Sequence, residues 1–176
     1  MNEPMNDGVL KAAAIIILIF RTLMWIAFGA LLILLPVLWI YGGNFDSEIL
    51  KAGADSSDPM IKMMISVVMV GAAAVIFLFI RFLTELQGIV ASVGQGDPFA
   101  RENARRLRRM AWLALAMEVG AVVLGLMGLW AAAYSDKIDI DFDISVTGIL
   151  LILLLFVLAR VFERGADMRE EIEATV

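Results

Sequence analysis

The sequence predicts an all-α integral membrane protein: a four-helix transmembrane bundle with cytoplasmic helical extensions. Hydrophobic residues make up 61% of the 176 residues and the mean hydropathy is +0.88, whereas soluble domains contain roughly 45–50% apolar residues. These residues form four continuous segments, and each reaches the roughly 20 residues that a helix needs to cross a bilayer. Helices are the expected spanning form because a backbone in lipid must satisfy its hydrogen bonds within the segment.

The first apolar segment is longer than a bilayer requires. The predicted spans, which form one membrane domain over residues 1–176, cover about residues 12–41, 60–83, 110–134 and 144–162. At 1.5 Å per residue the first would extend about 45 Å, so its beginning could lie along the inner interface. Residues 12–20 are apolar on every face, however, which favours one long helix over an amphipathic surface helix. Pro36 would allow a bend near the outer end.

Lysine and arginine residues predict which side of the membrane each loop occupies. Of the 14 in the chain, 11 lie on the side that holds both termini and the connector of residues 84–109. The other three, on the opposite side, are Lys51, Lys62 and Lys137. Both termini are therefore predicted to be cytoplasmic, together with the connector and with a tail of residues 163–176. In that tail Met168 and Ile172 recur at a helical interval, so it could continue the fourth helix as a short amphipathic extension.

The composition argues against catalysis and against a bound cofactor or metal. The chain contains no cysteine and no histidine, which excludes thiolate chemistry, histidine-ligated haem and the usual catalytic triads. We find no convergent set of nucleophile, base and metal ligands, and we expect no enzyme activity. The segment DIDFDIS lacks the glycine and closing glutamate of a calcium loop. It is interpreted as a solvated acidic loop, with a weak divalent-cation or cationic-peptide contact as the alternative.

An arginine cluster marks the beginning of the third helix. Asp97 at the N-cap and Pro98 at the first helical position predict that this helix starts about a dozen residues before its span. Glu102 is placed to pair with Arg106 one turn further on. The arginines that fall on one side of this helix, at spacings of three and four, are Arg101, Arg105, Arg108 and Arg109.

Three functions are conceivable for this cluster. The first is an anchor whose side chains meet anionic lipid headgroups, each contributing roughly 1 kcal/mol near the surface. The second is a docking surface for another protein. Direct binding of nucleic acid is not expected, because the cluster lacks interleaved aromatic residues and lies close to the membrane.

Ionisable side chains also occur inside the predicted spans. Glu118 lies nine residues past Arg109, about 13 Å along the helix, and a charge at that depth should face the interior of the bundle. If the first helix is one long span, Arg21 reaches a comparable depth. We therefore hypothesise an Arg21–Glu118 ion pair, which would either fix the register of the helices or act as a proton- or ligand-linked switch. The alternative is an unpaired Glu118.

Small residues on the second and third helices permit the helices to approach closely. They would serve packing within one chain or form a seam between copies in a homo-oligomer. Those on the third helix are Gly120, Ala121, Gly125 and Gly128, and those on the second are Ser66, Gly71, Ala72, Ala73 and Ala74.

Two short motifs carry a resemblance to a known family. The first comprises Gly96, Pro98, Phe99, Asn103, Leu107 and Arg108, and the second Phe162, Gly165, Glu171, Thr175 and Val176. With these motifs the chain resembles, over all four spans, the bacterial membrane family called domain of unknown function 2975. The resemblance implies a small protein of the bacterial inner membrane, in many members encoded beside a small helix-turn-helix regulator. It brings no catalytic residues.

The leading functional hypothesis follows from this resemblance. It is a regulatory or sensory membrane protein that engages a cytosolic helix-turn-helix regulator. The alternatives are a subunit of an oligomeric transporter or channel and a lipid-binding membrane protein. Against the transporter, four spans enclose little pore in one copy, and they carry almost no polar groups apart from Glu118 and Arg21.

Overall fold

The predicted all-α, four-helix architecture is confirmed by a computed structural model, which describes residues 7–41, 59–132 and 145–175. These residues form four helices and no strand. In chain order the helices are α1 (Asp7–Tyr41), α2 (Pro59–Gly94), α3 (Arg101–Ala132) and α4 (Val146–Thr175). The loops of residues 42–58 and 133–144, the second of which holds DIDFDIS up to residue 144, lie outside the described residues.

Each helix contains a stretch that is long and apolar enough to cross a bilayer. Most of the large apolar side chains in these stretches point away from the other helices, among them Ile33 of α1, Val70 of α2 and Leu153 of α4. Such a surface is stable only in contact with lipid or other apolar groups, because exposing it to water is unfavourable. The chain is a multi-pass membrane protein.

Helix α1 is a single helix that includes Pro36, in line with the long-helix alternative. It packs against α2, where the indole of Trp39 donates a hydrogen bond of 3.0 Å to Ser66. The helices are neighbours in chain order: α1 contacts α2, α2 contacts α3, and α3 contacts α4. Among the described residues, no Cα atom of α1 lies within 8 Å of one in α3 or α4. Helix α1 is thus attached along one interface.

Glycine and alanine set the closest approaches between helices. A methyl group at Gly71 of α2 would collide with Leu124 of α3, and one at Gly120 of α3 would come within 3.1 Å of Val75. These glycines therefore serve packing within the chain. The buried core joins α3 to α4, and its members are Leu107, Met110, Ala111, Ala114, Ile152, Leu155 and Ala159. The three alanines of this core allow α3 and α4 to approach closely, and the larger apolar side chains fill the space beside them.

Candidate functional site

The polar groups of the described residues concentrate at one end of the bundle. Three helices extend there beyond their apolar stretches, and we call this region the arginine-rich cap. It consists of residues 84–94 of α2, the turn 95–100, residues 101–109 of α3 and residues 160–175 of α4.

The turn between α2 and α3 requires a glycine and departs from the predicted helix start. Gly96 has a φ of 84°, a left-handed conformation that residues with a side chain rarely adopt. Helix α3 begins at Arg101, three residues later than predicted, because the Asp97 carbonyl accepts from the amide of Ala100 in a turn. The carboxylate of Asp97 does not cap α3 as predicted. It pairs instead with Arg169 of α4 at 2.6 Å.

The side chain of Asn103 closes this turn from inside. Its exposed fraction is 0%, and its amide nitrogen donates to the Ser92 hydroxyl at 2.6 Å and to the Pro98 carbonyl at 3.0 Å. The Ser92 hydroxyl donates in turn to the Asp97 carbonyl at 2.7 Å. A buried amide is costly unless it is hydrogen-bonded, so this network holds the end of α2, the turn and the start of α3 in one arrangement.

An aromatic contact joins the same turn to α4. The rings of Phe99 and Phe162 lie 5.3 Å apart between centroids, and Phe99 rests directly on Gly165, where a methyl group would come within 2.9 Å of the ring. The structure thus brings the motif positions together on both sides of the α3–α4 interface. These positions are Gly96, Pro98, Phe99, Asn103 and Gly165.

Ion pairs connect α3 to α4 across the surface of the cap. Arg101 contacts both Asp167 and Glu170 at 2.8 Å. One terminal nitrogen of Arg108 lies 2.9 Å from each carboxylate oxygen of Glu163. Each exposed pair contributes no more than about 1 kcal/mol, but together they align the end of α4 along α3.

The other arginines of the predicted cluster pair with carboxylates of α2 and α3. Arg105 lies 3.3 Å from Glu102, and Arg109 lies 3.4 Å from Glu102 and 3.5 Å from Glu85. The predicted pairing of Glu102 with Arg106 is wrong, because Glu102 contacts Arg105 and Arg109 while Arg106 donates to Asn103. All four arginines predicted to contact lipid headgroups or a partner therefore have carboxylates within the chain.

The hypothesised Arg21–Glu118 pair is also wrong. Arg21 donates to the side-chain oxygen of Gln87 at 2.6 Å, and α1 does not approach α3. Gln87 lies two residues past Glu85, which pairs with Arg109. Arg21 consequently lies at the level of the cap. Glu118 lies nine residues past Arg109, about 13 Å further along α3 and away from the cap.

Glu118 lies instead at the beginning of α4. Its carboxylate rests against Gly148, where a methyl group would collide with it. The Ser145 hydroxyl accepts from the amide of Gly148 at 2.9 Å, as an N-cap does. The positive end of the α4 dipole lies at this turn and stabilises a nearby carboxylate, which gives a physical reason for an acidic residue in the apolar part of α3.

These features define a helical multi-pass membrane protein with a polar cap. A buried asparagine, an aromatic contact and ion pairs hold the ends of α2, α3 and α4 together in this cap. The chain belongs to the DUF2975 family, described as protein of unknown function, because the model of that family matches residues 54–176. The matched residues include α2, α3 and α4. No curated protein and no solved structure shows a match to the chain.

Replacing Asn103 with alanine should destabilise the protein by about 1–3 kcal/mol, because buried groups lose their hydrogen-bond partner. The free energy of unfolding would be measured in mixed micelles by tryptophan fluorescence, with hydrogen exchange of residues 92–103 as a local readout. Gln95→Ala, in the same turn but exposed, is the matched control. Equal stability of the two variants would contradict the proposed role of the Asn103 network.

Replacing Gly148 with alanine should destabilise the protein in the presence of Glu118 and much less in a Glu118→Ala background. The reason is that the added methyl group meets the carboxylate. We expect a coupling of about 0.5–3 kcal/mol in the double-mutant cycle, measured by the same unfolding assay. Gly29→Ala of α1, where nothing lies within 4 Å of the added methyl group, should cause no loss. Additive effects of the two substitutions would refute the contact.

Proposed function

We propose that this protein is a regulatory protein of the bacterial inner membrane that holds a cytosolic protein at the membrane through its arginine-rich cap. Both termini face the cytoplasm in this proposal, because 11 of the 14 lysines and arginines lie on that side and such residues concentrate in cytoplasmic segments. The proposed partner is the helix-turn-helix regulator that the family resemblance implies.

The observation that carries the proposal is an apolar surface on the part of α4 that extends into the cap. Helix α4 continues to Thr175, and Met168 and Ile172, one turn apart, are 60% and 68% exposed. Phe99, also exposed, rests on Gly165, one turn before Met168. Charged residues flank these side chains, so lipid tails do not cover them. Exposed apolar groups of this kind mark surfaces that bind other proteins.

The charges around this surface indicate the chemistry of the partner. Residues 163–176 contain five acidic side chains and two arginines, a net charge of 2 − 5 = −3. An amphipathic helix with apolar residues on one face and basic residues beside it would complement this surface. Regulators that bind nucleic acid carry an excess of basic residues, which fits the proposed partner.

The orientation can be tested by cysteine labelling because the chain contains no cysteine of its own. A single cysteine at Gln95, which is exposed in the cap turn, should react with a membrane-impermeant maleimide only after the inner membrane is opened. A single cysteine at Ser56, in the loop on the other side, should react once the reagent reaches the periplasm. The reverse pattern would place the cap outside the cytoplasm and end the proposal.

The docking surface can be tested by affinity purification in mild detergent with quantitative mass spectrometry. The double variant Met168→Ser, Ile172→Ser should recover about tenfold less of the cytosolic partner, because apolar contacts at the centre of an interface carry most of its binding energy. The matched control, Met168→Leu with Ile172→Val, keeps the surface apolar and should recover the wild-type amount. Unchanged recovery with the serine variant would show that this surface does not bind the partner.

A further inference from the structure

Two arginines of the described residues differ from those of the ion-pair network. Arg21 of α1 donates to the amide oxygen of Gln87 at 2.6 Å, and Arg106 of α3 donates to the amide oxygen of Asn103 at 3.4 Å. Neither guanidinium forms an ion pair with a carboxylate of the described residues. Both are half-buried, so each positive charge is partly removed from water without a compensating negative charge.

Arg21 of α1 and Arg106 of α3 both contact the same turn of α2. Arg21 contacts Gln87, and the guanidinium of Arg106 lies on the next residue, Gly88. A methyl group at Gly88 would come within 2.7 Å of the Arg106 Cζ atom, so the glycine provides the space for the guanidinium. Consecutive residues are separated by only about 1.5 Å along a helix axis, which places the two positive groups at the same depth.

The end of α2 supplies little negative charge to this position. Glu85 is the single acidic residue of residues 81–94, and it lies against Arg109 at 3.5 Å. Each of the two guanidinium groups therefore keeps hydrogen-bond donors for an anion from outside the chain. Guanidinium groups bind phosphate oxygens with paired, charge-assisted hydrogen bonds.

The depth of the position indicates where that anion comes from. The uncharged run of α2 ends at Ile80, before Arg81, and Arg21 and Arg106 lie about two turns beyond it. On α2 this position follows the uncharged run, at the level where phospholipid headgroups begin. On α1 the side chains next to Arg21, from Ile15 to Phe20, are apolar and mostly exposed, which indicates that lipid also surrounds this side of α1. Helix α1 contacts α2 alone among the described helices, so the side of Arg21 away from α2 is open to the surrounding lipid.

We propose that Arg21 and Arg106 bind the phosphodiester headgroup of an anionic phospholipid in the leaflet that surrounds the cap. The chemistry recognised is phosphate, and the source is the lipid. Such a lipid would neutralise two charges that the chain leaves uncompensated and would join α1 to the cap.

The test is native mass spectrometry of the full chain in detergent, titrated with phosphatidylglycerol or with phosphatidylcholine. The double variant Arg21→Gln, Arg106→Gln should bind phosphatidylglycerol about thirtyfold more weakly than wild type, given the usual contribution of two arginines at a membrane surface. Phosphatidylcholine, whose headgroup has no net charge, should bind weakly to both proteins. Gly88→Ala should also weaken binding of phosphatidylglycerol, although it leaves the net charge unchanged, because it displaces the Arg106 guanidinium.

The matched control is Arg105→Gln with Arg164→Gln, which removes the same charge from two exposed positions of the cap. It should bind phosphatidylglycerol with wild-type affinity. An equal loss of affinity in this control would show diffuse electrostatic attraction and overturn the site. The site would also be overturned if the Arg21→Gln, Arg106→Gln variant bound phosphatidylglycerol like wild type and unfolded at the wild-type midpoint. Binding of inorganic phosphate in lipid-free detergent with the same affinity would overturn the assignment to a lipid.

Discussion

The buried side chain of Asn103 is the constraint on which the arrangement of the cap depends. It lies where α2 ends and α3 begins, and its hydrogen bonds reach the Ser92 hydroxyl and the Pro98 carbonyl. Burial makes these bonds difficult to exchange for bonds to water, so the two helices leave the turn in a defined direction. Phe99, placed by the same turn, then packs on Gly165 and positions the end of α4. The ion pairs of α3 and α4 act on helices whose positions are already set.

The arginines of α3 and Arg21 of α1 differ in their partners. Those that share one face of α3 form ion pairs with carboxylates of α2, α3 and α4, so their charge is largely neutralised within the protein. Arg21 and Arg106 contact amides and retain their charge for an anion. Arg106 lies among the other arginines of α3 in sequence, and the Asn103 amide and Gly88 that it contacts distinguish it from them. The structural role of one group and the proposed lipid contact of the other are therefore compatible.

The family match and the helix packing both set α1 apart from α2, α3 and α4. Residues 54–176 match the family and include α2, α3 and α4, which together build the cap. Helix α1 lies outside the match and packs against α2 alone. The hydrogen bond from Arg21 to Gln87 joins it to the cap, so a lipid bound at Arg21 would act at the junction between α1 and the matched part of the chain.

The sequence by itself determined that four helices cross the membrane and that arginines concentrate at one end, because hydropathy and charge are properties of each segment alone. It also identified the motif positions that meet in the cap, through the family resemblance. Only the tertiary structure decided which side chains are partners. Arg21 faces Gln87 and not Glu118, Asp97 pairs with Arg169 instead of capping α3, and Asn103 is buried. Periodicity tells which residues share a helix face, but neighbours and their relative depth are set by packing between helices at residues such as Gly71, Gly88 and Gly165.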